Sequence, residues 1–240
     1  MKISLIVPAF NEERLLGKSL AEMKSALTAF DQLGWTTELI VCDNNSTDKT
    51  PEIARAAGAT VVFEPINQIA RARNCGAAAA TGDWLIFVDA DSHPSADLFA
   101  DVAKAIQSGK YLAGGATLKF DATQRFARFM AGIWVAISRL FKLMAGSFIF
   151  CETAAFREIG GFNEELFAAE ELDLSKRLKQ LARRKNRRVV ILTEHPLVTS
   201  ARKLHLYTLR EHLRVLALVI WSPRSLTRRE ACHLWYDGRR

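Results

Sequence analysis

The sequence predicts an α/β fold: a doubly wound, mostly parallel sheet with a helical elaboration at its C-terminal end. Three observations predict it. Short apolar runs alternate with amphipathic stretches from Ile3 to Leu192. Each run is continuously apolar, as strands covered on both faces are. Polar clusters then gather where two of the runs stop, at Asp43-Asn44 and at Asp89-Ala90-Asp91, and the carboxyl ends of parallel strands are where such sheets bind ligands.

The elements follow in order. Ile3 to Ala9 is the first strand, and Asn11 is placed to cap a helix whose first turn carries Glu12 and Glu13. Leu16, Leu20, Met23, Leu27 and Phe30 give that helix an apolar stripe. Thr37 to Cys42 is the second strand. Thr50-Pro51-Glu52 starts a helix that Gly58 stops, and Thr60 to Phe63 is a short third strand. Asn67 to Ala80 reads as helix, and the run through Trp84 to Val88 as the central strand. Ser95 caps the next helix and Gly109 ends it; Tyr111 to Phe120 reads as a strand interrupted at Gly114-Gly115. Ser147 to Cys151 and Val189 to Leu192 are further strands. A helix between them begins near Phe167 and carries Glu170, Glu171 and Asp173.

Composition narrows the class. Of 240 residues, 49% are hydrophobic and 25% charged, the balance of a globular protein. A formal charge of +7 suits anionic partners such as a nucleoside diphosphate, an acidic membrane surface or nucleic acid, although it also serves solubility alone. Cys42, Cys75, Cys151 and Cys232 are widely spaced, with no C-x-x-C pair, and read as reduced thiols. The N-terminal apolar run is too short for a signal peptide, and no run reaches the length of a membrane span. The expected location is the cytoplasm, either free or at the inner face of the cell membrane.

Two stretches bear on that choice. Arg125 to Met144 is an amphipathic helix with Phe126, Phe129, Ile133 and Trp134 on one side and Arg125, Arg128 and Lys142 on the other. It fits either a core-facing helix or one lying on an anionic membrane. Leu206, Leu209, Leu213, Leu216 and Ile220 form a second such helix, and the basic tail from Arg224 reads as loosely ordered. Arg183 to Arg188 is a cationic run without interleaved aromatic residues, so no nucleic-acid partner is expected.

Asp89 and Asp91 are the leading candidates for chemistry. Two carboxylates after a buried strand offer hard oxygen ligands to Mg²⁺ or Mn²⁺, with a substrate phosphate completing the shell. Asp-x-Asp alone is weak, because Asp also collects in turns. His93 stands two residues on, as a further metal ligand, a phosphate contact or a turn histidine with no role. The Asp43-Asn44 turn has oxygen and amide groups for a base or ribose. Glu170-Glu171 either serves the helix dipole or turns a carboxylate inward as a general base. Arg202 and Lys203 are candidates for a diphosphate.

Taken together, these residues resemble family 2 glycosyltransferases of the GT-A fold. Val7-Pro8-Ala9-Phe10-Asn11-Glu12-Glu13 resembles the family's opening strand and loop. The stretch Val41 to Thr50, with Asp43-Asn44-Asn45-Ser46 inside it, is similar to its nucleotide-contacting turn. Ala72-Arg73-Asn74-Cys75-Gly76 with Gly82 to Asp91 is similar to its metal-binding segment. Gly160-Gly161-Phe162-Asn163-Glu164 followed by Glu170-Glu171-Leu172-Asp173-Leu174 resembles the acceptor-side region.

The resemblance implies that Asp89 and Asp91, with Ala90 between them, hold a divalent ion against a sugar-nucleotide diphosphate. Pro8, Ala9, Asn11, Glu12, Asp43 and Asn44 would line the nucleoside pocket, with Arg73 nearby. Glu171 would occupy the base position, beside Glu170. The family commonly has Glu-Asp there and a second acid where this chain has Asn44. The implied domain is 1–205, with 1–110 holding the donor and 111–205 facing the acceptor, followed by the appended segment 206–240. The implied activity is inverting transfer of a sugar to a hydroxyl or lipid phosphate. The alternative is a nucleotide-sugar-binding protein without turnover. A sugar nucleotidyltransferase would carry a glycine-rich loop after the first strand, and Pro8-Ala9-Phe10-Asn11 has no glycine.

Overall fold

The computed structural model of the chain describes residues 1–120, 144, 146–200 and 226–232. Strands β1 (Lys2–Ala9), β2 (Thr36–Asp43), β3 (Thr60–Phe63) and β4 (Trp84–Val88) lie parallel, in the order β3-β2-β1-β4. Both faces of this half are covered. Helices α1 (Leu16–Asp31) and α2 (Thr50–Ala56) share one core with Ile3, Leu5 and Val7 of β1, while α3 (Ile69–Ala79) shares the other with Ile6. Such two-sided burial is what a continuously apolar strand requires.

The other half departs from a doubly wound sheet. Beyond β4 come β7 (Phe148–Glu152), β6 (Tyr111–Phe120), β8 (Arg188–Thr199) and finally β5 (Ser92–His93). Strand β7 is antiparallel to both neighbours, and β5 is antiparallel to β8, so the sheet is mixed. Strand β5 begins only four residues after β4 ends, yet stands four places along the sheet. Four residues reach at most about 14 Å, whereas four flat strand spacings need about 19 Å. The sheet therefore curls into a half-barrel around the end of β4. Helix α4 (Ala96–Gln107) joins the first core; α5 (Thr153–Glu158) and α6 (Glu170–Arg184) join the second.

Several local expectations hold for the reasons given. Ser95 Oγ accepts from the Leu98 N–H at 3.1 Å and caps α4. Gly58 and Gly109 end their helices with φ of 78° and 65°. All four cysteines are free. Among the described residues no helix is long and apolar enough to cross a membrane.

Others change. Asn11 does not cap α1, which starts at Leu16; its φ is 52°, and its Oδ1 accepts from the Thr47 N–H at 2.8 Å. It ties the loop after β1 to the loop after β2. Gly114 and Gly115 do not interrupt β6. A Cβ on Gly114 would fall 2.5 Å from Phe150 Cζ and 2.7 Å from the Val190 carbonyl oxygen, so neighbouring strands pack where a side chain would be. Strand β8 continues past Leu192 to Thr199. Ala116 faces Leu192 while Leu118 faces Leu197, so a bulge absorbs the polar residues between.

The segment 226–232 is packed rather than loose. Leu226 and Cys232 are buried against Ala168, and the Phe167 N–H donates to the Leu226 carbonyl at 2.8 Å. The amphipathic stretch Arg125 to Met144 lies outside the described residues except for Met144, which is fully buried. Arg202, Lys203 and the helix expected over Leu206 to Ile220 also lie outside them.

Candidate active site

The curl leaves a cleft of about 290 Å³ at the carboxyl ends of β1, β2 and β4. Pro8, Ala9 and Glu12 reach it from the end of β1, Asn44 from β2 and Arg73 from α3. Asp89, Ala90 and Asp91 enter from the end of β4, and Glu170 and Glu171 from the first turn of α6. Phe10, Asn67, Ile69, Gly146 and Ser147 complete the lining; sequence reasoning missed all five. Their signal was weak, because four of them stand on connections between elements and Ile69 at the first position of α3, with no motif to mark them.

Arg73 organises the floor. It is 2% exposed, with Nη1 2.6 Å from Glu170 Oε1 and Nη2 3.0 Å from Asp89 Oδ1. Nη2 also donates to the Gly146 carbonyl at 2.9 Å, and the guanidinium carbon stands 5.2 Å from the centre of the Phe162 ring. Burial works against the charge, but the carboxylates of Asp89, Glu170 and Glu171 outweigh it and hold the pKa above its ordinary value. This buried cation thus binds acids from two distant stretches of the chain.

Glu171 has a different environment. Ala169, in the left-handed region with φ 60°, turns the chain into α6 so that the Glu170-Glu171 pair heads inward. A Cβ on Gly146 would lie 3.2 Å from Arg73 Nη2 and 3.6 Å from Glu171 Cδ, so the guanidinium and this carboxyl flank one glycine. Desolvation pushes the Glu171 carboxyl up to about 8, the charge of Glu170 adds to the rise, and Arg73 opposes it. The two neighbouring acids thus differ: the protonated form of Glu171 is favoured, while Glu170 is ion-paired with Arg73.

The remaining expected residues sit elsewhere. Asp43 is buried behind the lining, its Oδ1 accepting from the Ser46 N–H at 3.0 Å; with Asn11 it shapes the two loops. His93 is not in the cleft, and its Nδ1 stands 2.6 Å from Glu22 Oε2 of α1. The metal-ligand position expected for it is corrected accordingly: β5 carries the ring to the edge of the sheet. A separate group of metal-type ligands, Asp101, Glu194 and His195, has its ligand atoms within 4.8 Å of one another. It stands on α4 and β8, outside the cleft lining. Asp101 is already engaged there by His195 Nδ1 at 2.8 Å and Lys104 Nζ at 3.2 Å.

The carboxyl groups of Asp89, Asp91, Glu170 and Glu171, the buried Arg73 cation and the polar side chain of Asn44 share this cleft. A perturbed carboxyl among convergent polar groups in a cleft marks a candidate functional site. The chain is 38% identical over 96 residues to the 4,4'-diaponeurosporenoate glycosyltransferase of Staphylococcus haemolyticus, covering 37% of this chain and 24% of that protein. It is 34% identical over 113 residues to a TPR repeat-containing protein of Synechococcus elongatus, covering 47% and 26%. The chain thus spans about a quarter of either relative's length.

Among solved structures, the mannosyltransferase PcManGT of Pyrobaculum calidifontis, in complex with GDP-Man and Mn²⁺, superimposes with a TM-score of 0.67 at 20% identity. The match covers 97% of this chain and 69% of that one. Glucosyl-3-phosphoglycerate synthase of Mycobacterium tuberculosis, with Mn²⁺, UDP and phosphoglyceric acid, gives 0.60 at 18%, covering 95% and 78%. These likenesses show a shared fold. Residues 4–158 match the sequence profile of glycosyl transferase family 2, and on that match the chain belongs to this family.

Proposed function

We propose that the chain is a GT-A glycosyltransferase that uses Mg²⁺ or Mn²⁺ and moves a sugar from a nucleotide-diphosphate donor, with inversion, to an acceptor hydroxyl or lipid phosphate. One observation carries the reading: Asp89 and Asp91 from β4 and Glu171 from α6, remote in sequence, line the same cleft. The solved relatives support it through the GDP-mannose, UDP and Mn²⁺ that their names record for those proteins.

The residues fit a hard divalent ion. Asp89 and Asp91 both present carboxylates to the cleft, and Arg73 occupies only Oδ1 of Asp89. Bound there, such an ion would offset the charge that builds on the departing diphosphate. Pro8, Ala9, Glu12 and Asn44 would line the nucleoside side, with Asn11 and Asp43 fixing the loops and Arg73 holding Asp89 in place. Arg202 and Lys203 are assigned to the diphosphate on sequence alone.

Glu171 would take the proton from an acceptor hydroxyl as its oxygen attacks the anomeric carbon opposite the leaving group. A lipid-phosphate acceptor, already ionised, would need no base. In this reading residues 1–205 form the catalytic domain, working in the cytoplasm or at the inner membrane face, and 226–232 dock back onto it.

The second reading, binding without turnover, is favoured by the surroundings of Glu171: desolvation and the charge of Glu170 push its carboxyl up to about 8, toward the form that accepts no proton. Titration calorimetry with UDP- and GDP-sugars, with and without Mn²⁺, paired with an assay of sugar release, separates the two. Metal-dependent binding with release supports transfer. Binding without release at any pH supports the second reading, and no binding sinks both.

A further inference from the structure

The cleft is short of positive charge. Its lining holds Glu12, Asp89, Asp91, Glu170 and Glu171, and the one cation among the described residues that line it is Arg73. Arg73 is already committed to Glu170 and Asp89. A nucleoside diphosphate entering this field meets repulsion that a single divalent ion only partly offsets. Further cations must come from outside the lining.

The segment 226–232 brings one against a residue of the lining. Leu226 and Cys232 are 5% and 1% exposed and pack on Ala168, just before the first turn of α6. Gln68, itself buried, also holds the stretch before Ala168: its Nε2 donates to the Glu164 and Leu166 carbonyls at 2.6 and 2.9 Å. Between these anchors Arg229, the first residue of a 3-10 turn, extends Nη2 to 3.5 Å from Asn67 Oδ1. Asn67 lines the cleft, and its Nδ2 donates to the Asn44 carbonyl at 3.1 Å. The guanidinium is thus tied, through one side chain, to the nucleoside side of the cleft. Arg229 itself is exposed.

We infer that Arg229 is a donor-binding residue, its guanidinium serving the phosphates of the nucleotide from beside Asn67. The inference rests on the donor reading above but adds a residue from beyond the stretch matched by the family profile, which ends at 158. Guanidinium suits the task, being permanently charged and able to give paired hydrogen bonds to phosphate oxygens. An exposed charge of this kind acts strongly at low ionic strength and weakly in salt.

The test is titration calorimetry of the full chain with Mn²⁺ at low ionic strength, using UDP and GDP and the matching nucleosides. Arg229→Gln is expected to weaken the diphosphate that the wild type binds by about ten-fold and to leave the nucleoside unchanged. Arg229→Lys should stay within about three-fold of wild type, and the loss in Arg229→Gln should shrink as salt is added. Unchanged diphosphate binding in Arg229→Gln overturns the inference. So does an equal loss for nucleoside and diphosphate, which marks a packing role, or a lysine variant no better than glutamine. A wild type that binds neither diphosphate sinks the donor reading itself and this inference with it, whereas binding that Arg229→Gln leaves intact sinks the inference alone.

Discussion

Nη1 of Arg73 lies 2.6 Å from Oε1 of Glu170, and this buried pair fastens α3 to the first turn of α6 at the floor of the cleft. The same guanidinium holds Asp89, so one cation sets the spacing between the end of β4 and the helix that carries Glu171. A buried ion pair is poor evidence of added stability, because desolvation consumes much of its attraction. Removing one partner is another matter. Glu170→Ala should destabilise the protein by about 3 kcal/mol, the lower end for a broken buried pair because Asp89 still partners the arginine. The expected signature is a lower urea midpoint with an unchanged slope. A loss below about 1 kcal/mol would mean that water reaches the pair.

Gly114 gives a test of the curl. Strands β7 and β8 flank β6 so closely there that the Phe150 ring and the Val190 carbonyl fill the space of a side chain. Gly114→Ala should cost at least about 1–3 kcal/mol, the usual penalty for overpacking, because backbone must move as well as the ring. Thermal unfolding followed by circular dichroism reads this directly. A variant as stable as wild type would show that the sheet is looser at this crossing than the contacts require.

These two positions also show what a sequence does and does not disclose. Asp89 and Asp91 were legible because short acids directly follow a continuous apolar run, and the stripe from Leu16 to Phe30 because its period admits one reading. The partner of Arg73 was not legible: α3 is rich in alanine, so no strong apolar face says which way the arginine points. Asn11 looked like a helix cap because its true partner, Thr47, sits on another loop. Strand direction leaves no mark either, since Phe148 to Cys151 are buried on both faces whether β7 runs with its neighbours or against them. The expected strand stops at Leu192, before the polar residues up to Pro196, and only the bulge in β8 carries the strand on through them.

Asp91 separates metal binding from folding. It is half-buried at the cleft, and its backbone carbonyl accepts from the Ser200 N–H at 3.1 Å, a bond that survives any side-chain change. Asp91→Asn, which keeps the size of the side chain, should therefore leave the melting temperature within about 2 °C. It should weaken Mn²⁺-dependent binding of UDP or GDP by at least about ten-fold, as one charged oxygen ligand is lost. Calorimetry with and without Mn²⁺ checks this. Affinity that responds to Mn²⁺ as in the wild type would remove Asp91 from the ion's shell.

Glu171 should reveal itself through pH. Burial raises its carboxyl from the ordinary 4.5 to about 8. Between those values the folded chain holds a proton that the unfolded chain has released, so this group's contribution to stability is complete below 4.5 and falls as pH rises through 8. Glu171→Gln removes that slope. The variant should melt higher than wild type at pH 8 and above, by about 2–4 °C for each kcal/mol recovered, and the two should converge in acid. Catalysis should run the other way. Only the carboxylate accepts a proton, so transfer to a hydroxyl should rise with pH and level off, with a midpoint drawn below 8 when a divalent ion stands nearby. Glu171→Gln should lose about 10²–10⁴-fold in that rate while keeping donor affinity. A desolvated acid that weakens the fold yet carries the rate is the trade expected of a working base. A rate independent of pH from 6 to 9, or a glutamine variant at full speed, would leave Glu171 as a structural residue alone.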